Sequence, residues 1–171
     1  MKKKILIAIL LSVAVIAAVV AVCIVAFKED VVLTPDYAPP ASEENAEKIE
    51  GEDGTKMDVA EGGGAVGMTY QTEVTIDLSD EKATLQFDNP GKSHNNVVVQ
   101  IVVQGVVVAQ SGTIKPGYRV RTMDLLDGAA ERLAAGIYET NTKFVVLFYD
   151  PESDERSIIQ TDIDIVVNVK A

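Results

Sequence analysis

Tyr70-Gln71-Thr72-Glu73-Val74-Thr75-Ile76-Asp77-Leu78 alternates sheet-favouring side chains with polar ones over nine residues. Period two marks a half-buried strand, because successive Cβ atoms point to opposite faces of a sheet. The pattern recurs downstream. Ser79-Asp80-Glu81-Lys82 reads as a hairpin loop, followed by Ala83, Leu85 and Phe87 inward with Thr84, Gln86 and Asp88 outward. Asn89-Pro90-Gly91-Lys92-Ser93 breaks the chain, and Asn96–Gln104 forms a third strand that is valine-rich on both faces. Gln104-Gly105 permits a tight reversal into Val106–Ser111. A fifth strand, Tyr118–Leu125, spaces Val120, Met123 and Leu125 irregularly, which suggests a bulge. Asp127–Ala135 allows a short helical turn. A sixth strand opens at Gly136 and turns Tyr138, Thr140, Thr142, Phe144, Val146 and Phe148 to one side. A seventh alternates Ile159, Thr161, Ile163, Ile165, Val167 and Val169 with polar residues. Seven strands with regular turn signals predict an all-β, two-sheet β-sandwich over 69–171. Strands one, two and five are expected in one sheet, and four, three, six and seven in the other.

Upstream the pattern disappears. Residues 28–68 hold eleven acids against three lysines, with Pro35, Pro39, Pro40 and the run Gly62-Gly63-Gly64. Such a segment offers little apolar surface to offset its conformational entropy and predicts a disordered acidic linker, a tether on the order of 35 Å end to end. Before it, Ile5 to Phe27 carries no charge. As a helix the run spans about 34 Å, enough for a hydrocarbon core of roughly 30 Å, so 1–27 is read as a single transmembrane signal-anchor helix. Lys2-Lys3-Lys4 before the run, against Lys28-Glu29-Asp30 after it, places the N-terminus in the cytoplasm and the rest outside the cell membrane. A cleaved signal would have a shorter apolar stretch and small residues at its cleavage site. A lipid anchor on Cys23 would want a small residue before it, where Val22 stands.

Charge and cysteine content exclude several classes. The chain carries a formal net charge of −11, and no segment is basic beyond the N-terminal lysines, so no nucleic-acid partner is expected. Cys23 is the single cysteine, which rules out an intramolecular disulfide and a cysteine-based zinc site. Residues 66–171 are expected to fold without metal, disulfide or cofactor.

Leu133-Ala134-Ala135-Gly136-Ile137-Tyr138 is similar to the segment entering the sixth strand of immunoglobulin-like domains, where a tyrosine ties the corner. Thr140 stands where a cysteine follows in the fuller pattern, so a disulfide-linked antibody-type domain is excluded. The resemblance implies an immunoglobulin/fibronectin-III-like arrangement. Phe87-Asp88-Asn89-Pro90, then Ser111-Gly112-Thr113-Ile114-Lys115-Pro116-Gly117, then Leu133, Gly136 and Tyr138 give 83–149 a further resemblance. It is to small, N-terminally membrane-anchored surface proteins of Gram-positive bacteria, and it implies location and fold, not an activity.

Few residues suggest chemistry. His94, the only histidine, lies beside Ser93, without the nucleophile elbow a serine-histidine-aspartate site would show. Asp150, Glu152, Asp154 and Glu155 offer oxygen ligands of the kind calcium takes, without the glycine and distal glutamate of a helix-loop-helix site. Asp162 and Asp164 share a strand face, and paired carboxylates serve glycosidases only within a cleft. Lys115, Arg119 and Arg121 form a small basic cluster on an acidic domain. Lys143 and Asn168, on strands expected to be adjacent, are candidates for an internal isopeptide bond.

No catalytic residue is assigned. The expected function is a membrane-tethered, extracytoplasmic binding or assembly module. The alternatives are a structural subunit of a cell-envelope complex, packing through its anchor helix, and an enzyme of unrecognised type. The expected contact surface is the outer face of the sheet of strands four, three, six and seven. There Val98, Val102, Val145, Leu147, Tyr149, Ile158 and Val166 would form an exposed apolar patch for a protein partner or a second copy.

Overall fold

The computed structural model describes residues 41–51, 54–59 and 64–171, all within one compact unit. The expected span over 1–27 and the first part of the expected linker lie outside them. Among the described residues no helix is long and apolar enough to cross a membrane.

The described fold is all-β and has two sheets. One contains, in spatial order, β1 (Ala46–Lys48), β7 (Tyr118–Asp124), β4 (Lys82–Asn89), β3 (Glu73–Asp77), β11 (Val166–Lys170) and β8 (Gly136–Tyr138), with β2 (Thr69–Tyr70) also pairing β4. The other runs β10 (Arg156–Asp164), β9 (Thr142–Tyr149), β5 (Asn96–Val103), β6 (Val106–Gln110). The expected sheet assignment holds for β3, β4 and β7, and for β5, β6, β9 and β10.

Three expected strands divide, the first into β2 and β3. The sixth becomes β8 and β9, broken at Asn141, whose φ of +54° turns the chain. The seventh becomes β10 and β11. After Asp164 the chain leaves β9, and β11 pairs in parallel with β3, Val167 facing Val74 and Val169 facing Ile76. A strand crossing between two sheets that share one core keeps the same residues inward.

The core explains the valine-rich third strand. Val97, Val99, Ile101 and Val103 of β5 point between the sheets, where Val74, Ile76, Phe87, Phe144 and Val167 are also buried. Phe87 of β4 and Phe144 of β9 meet edge to face across the layers, centroids 6.1 Å apart. Each such side chain contributes roughly 1.5–3 kcal/mol by leaving water. The expected irregularity near the fifth strand is present. The β4–β7 register slips between Thr84 and Phe87, so Val120 and Met123, three residues apart, both reach the core. Tyr70 and Ile159, expected inward, are exposed; Tyr70 instead stacks on Phe87 from the outside, centroids 6.5 Å apart. Between β5 and β6, Gln104 (φ +53°) and Gly105 (φ +83°) make the two-residue hairpin turn that matches sheet twist.

The expectation of a disordered linker over 28–68 is corrected for its described residues. Ala46, Glu47 and Lys48 pair antiparallel with Val120, Arg119 and Tyr118, covering the edge of β7. Ahead of them Ser42 bridges Thr113, with Glu43 N donating to Thr113 O at 3.0 Å and Thr113 N to Ala41 O at 2.8 Å. Ile49 is buried behind the strand, its N–H bonded to Gly117 O at 2.8 Å. Further on, Met57 N donates to Lys92 O and His94 N to Ala65 O, while Val66 and Met68 pack against the core. Acidic composition conceals these contacts because sheet pairing uses backbone groups, which every residue except proline carries in full.

Candidate interaction face

Alternation along β5 that turns Val97, Val99 and Ile101 inward turns Val98, Gln100 and Val102 to the opposite face. On β9, Val145, Leu147 and Tyr149 oppose Phe144, Val146 and Phe148 in the same way. The register sets Val98 across from Leu147, Gln100 across from Val145 and Asn96 across from Tyr149. Val98, Val102, Val145, Leu147 and Tyr149 thereby form a second apolar cluster, separate from the inter-sheet core, with Val107 of β6 packed against it. Polar pairs border it. Gln100 Nε2 donates to Gln110 Oε1 at 2.7 Å, Lys143 Nζ pairs with Asp162, and Gln160 Nε2 reaches Asp162 Oδ1 at 3.2 Å.

This arrangement corrects the expected patch in two respects. Its five central residues are buried rather than exposed, Val145 most open at 7%. Ile158 and Val166 do not belong to it. The β9–β10 register shifts between Arg156 and Gln160, and the irregularity leaves Ile158 fully exposed. Val166 begins β11 in the other sheet.

The polar candidates are engaged in holding loops. Asp150 Oδ1 accepts the amides of Glu152 (2.9 Å) and Ser153 (2.8 Å) and the Ser153 hydroxyl. These bonds, the Ser153 amide foremost, hold the Asp150 carboxyl below its ordinary value of 3.8. Asp150 is thus spent inside its own turn, with Asp154 N closing on Asp150 O at 3.0 Å and Asp154 at φ +58°. Asp150, Glu152, Asp154 and Glu155 lie in the hairpin loop between β9 and β10, and among the described residues no group of three or more histidine, cysteine, aspartate or glutamate side chains is placed to hold a metal. Next to this loop a polar cleft of about 530 Å³ is lined by Gly64, His94 and Asn95 opposite Glu152 and Ser157.

Ser93 and His94 do not form a catalytic pair. Ser93 Oγ accepts from Gly67 N at 2.9 Å and donates to Gly67 O, whereas His94 Nε2 lies 2.7 Å from Met57 O and carries the proton it donates there. Asp162 is paired with Lys143 on the outer face. The isopeptide candidate is removed as well, because Lys143 lies on β9 and Asn168 on β11, in the other sheet.

The basic cluster faces the strap formed by 41–49. Arg121 Nε is 3.4 Å from Glu47, and Arg119 lies opposite both Glu47 and Asp88, 3.9 Å from the Asp88 carboxylate. Sequence reasoning missed this edge, although two of the resembling motifs build it. Asn89 Nδ2 donates to Asn95 O and Ile114 O, fixing the Ile114–Gly117 turn. At Gly112 an added Cβ would lie 2.6 Å from Ala41 O and 2.7 Å from the Glu43 backbone, so only glycine admits the strap.

Compared with known proteins, the chain matches no family model, and no curated protein is significantly similar to it.

Proposed function

We propose that this chain is a non-enzymatic binding or assembly module, held outside the cytoplasm by a membrane span over 5–27 and contacting its partner through the outer face of the β10-β9-β5-β6 sheet. The observation that carries the reading is the second apolar cluster. A two-layer domain needs one core, and Val98, Val102, Val145, Leu147 and Tyr149 lie on the far side of it. Apolar side chains gathered there, within a border of paired polar groups, have the composition of an interface core; at 7% exposure or less they are already buried in the single chain, so a partner would have to replace what covers them.

The strand order supports an immunoglobulin/fibronectin-III-like sandwich: β3, β4 and β7 against β6, β5, β9 and β10. So does Tyr138, whose hydroxyl donates to Ala134 O at 3.0 Å and accepts from Ala134 N at 3.1 Å, tying the corner four residues upstream. Domains of this architecture carry many unrelated functions, so the fold is compatible with the reading without choosing it, and the resemblance to anchored Gram-positive surface proteins bears on location and fold alone.

The test is Val102→Asp combined with Leu147→Asp. Circular dichroism is expected to retain the β spectrum, and sedimentation to show weaker self-association or partner binding. A double variant that unfolds would place both residues in the folding core and overturn the reading. So would a folded variant whose association is unchanged.

A further inference from the structure

We propose that the edge of β7, with the Ser111–Gly117 turn, is a strand-acceptor site whose ligand is the acidic 41–50 segment of a second copy of this chain. This inference does not rest on the apolar face proposed above.

In the structure the site holds the chain's own segment, and the contacts define what it accepts. Backbone pairing at 46–48 fixes an antiparallel strand that Ile49 extends to Gly117, while Ala41 and Glu43 bond Thr113 across a separate parallel bridge at Ser42. One side chain adds register: a Glu43 carboxylate oxygen accepts the Gly112 amide at 2.6 Å. The clearance at Gly112 is specific to an approaching backbone. Charge is complementary as well. The segment carries Glu43, Glu44, Glu47 and Glu50, and the acceptor carries Lys115, Arg119 and Arg121 on a domain that is otherwise acidic. Glu47, Glu50, Arg119 and Arg121 line one shallow cleft there.

The segment is separable from the rest of the fold. Ile49 is its buried residue, whereas Ser42, Glu44, Glu47, Lys48 and Glu50 are exposed. Gly51 at φ +80° and Gly54 at φ +71° follow, each with nothing within 4 Å of an added Cβ. Every contact joins residues that all copies carry, so pairing in trans keeps them all, as in the exchange of an identical element between protomers. The balance between cis and trans is then set by local concentration. A short connection gives the cis strand an effective concentration on the order of millimolar, and copies crowded on one surface shift the balance toward exchange.

Lys48 and Tyr118 are directly opposite in the register and both exposed. The experiment uses the full chain with Cys23→Ser, carrying either Lys48→Cys or Tyr118→Cys, mixed in mild detergent and oxidised. A disulfide-linked dimer joining positions 48 and 118 is expected, rising with protein concentration and falling at high salt. Placing Gly112→Ala in the Tyr118→Cys chain is expected to reduce it about tenfold. A chain bearing both substitutions, which should close an internal disulfide, verifies that the acceptor is folded. The proposal is overturned if that internal bond forms while the mixed dimer is no more abundant than with a remote Thr140→Cys control. It is equally overturned if Gly112→Ala leaves the mixed dimer undiminished.

Discussion

Asp77 and Asp150 occupy equivalent places in two hairpin loops. Each ends a strand or directly follows one, and each accepts hydrogen bonds from the second and third residues after it. Asp77 Oδ1 takes the Ser79 hydroxyl at 2.6 Å and the Ser79 amide at 3.0 Å, and these two bonds, in that order, lower its pKa below 3.8. Bonds to the ionised form favour that form, so both folded-state pKa values lie below the unfolded ones. The stabilisation is therefore fully present above the unfolded carboxylate range and lost as pH falls through the folded values. Amide resonances of Ser79 and Ser153 are expected to move with acid midpoints below the ordinary aspartate value of 3.8. Asp77→Ala and Asp150→Ala should each abolish that movement at its own loop. Midpoints at or above the ordinary aspartate value would contradict the assignment.

Among the elements, those that alternate over a long run were the most legible. Val74, Ile76, Leu85, Phe87, Ile101 and Phe144 are buried as period two requires. What alternation does not reveal is a strand that changes partners. Ile163, Ile165, Val167 and Val169 alternate without interruption while the chain passes from β9 to β3, because both sheets face the same apolar layer. Ile158 and Ile159 misled for a related reason: a register shift at an open edge leaves side chains that satisfy the pattern in water. The strap was invisible on different grounds, since backbone pairing at an edge leaves no apolar period, and Ile49 is a single buried residue. Its contribution can be measured. Fragment 41–171 is expected to melt higher than 66–171, by about 2 kcal/mol or roughly 6–10 °C, from Ile49 burial and the strand's hydrogen bonds. The shorter fragment retains the inter-sheet core and should still melt cooperatively. Equal midpoints would show the strap to be energetically idle.

Over the whole molecule, charge and hydropathy are segregated along the chain: three lysines, an uncharged run to Phe27, then segments of net −8 and −6 over 28–68 and 69–171. The proposed topology makes a direct prediction. Trypsin added to intact cells should release the β domain from the membrane fraction, whereas protection until the cells are lysed would reverse the orientation. The two-sheet fold also has a mechanical consequence. β3 and β11, the first and last long strands of their sheet, lie side by side and parallel, from Glu73 opposite Val166 to Asp77 opposite Lys170. A pull entering from the N-terminal side of β3 and leaving through the C-terminal end of β11 draws them in opposite directions along their length. Their rungs are then strained together in shear instead of parting one after another, so a load carried through the chain, once the 41–50 strap and β2 have come away, meets a joint that resists as a unit.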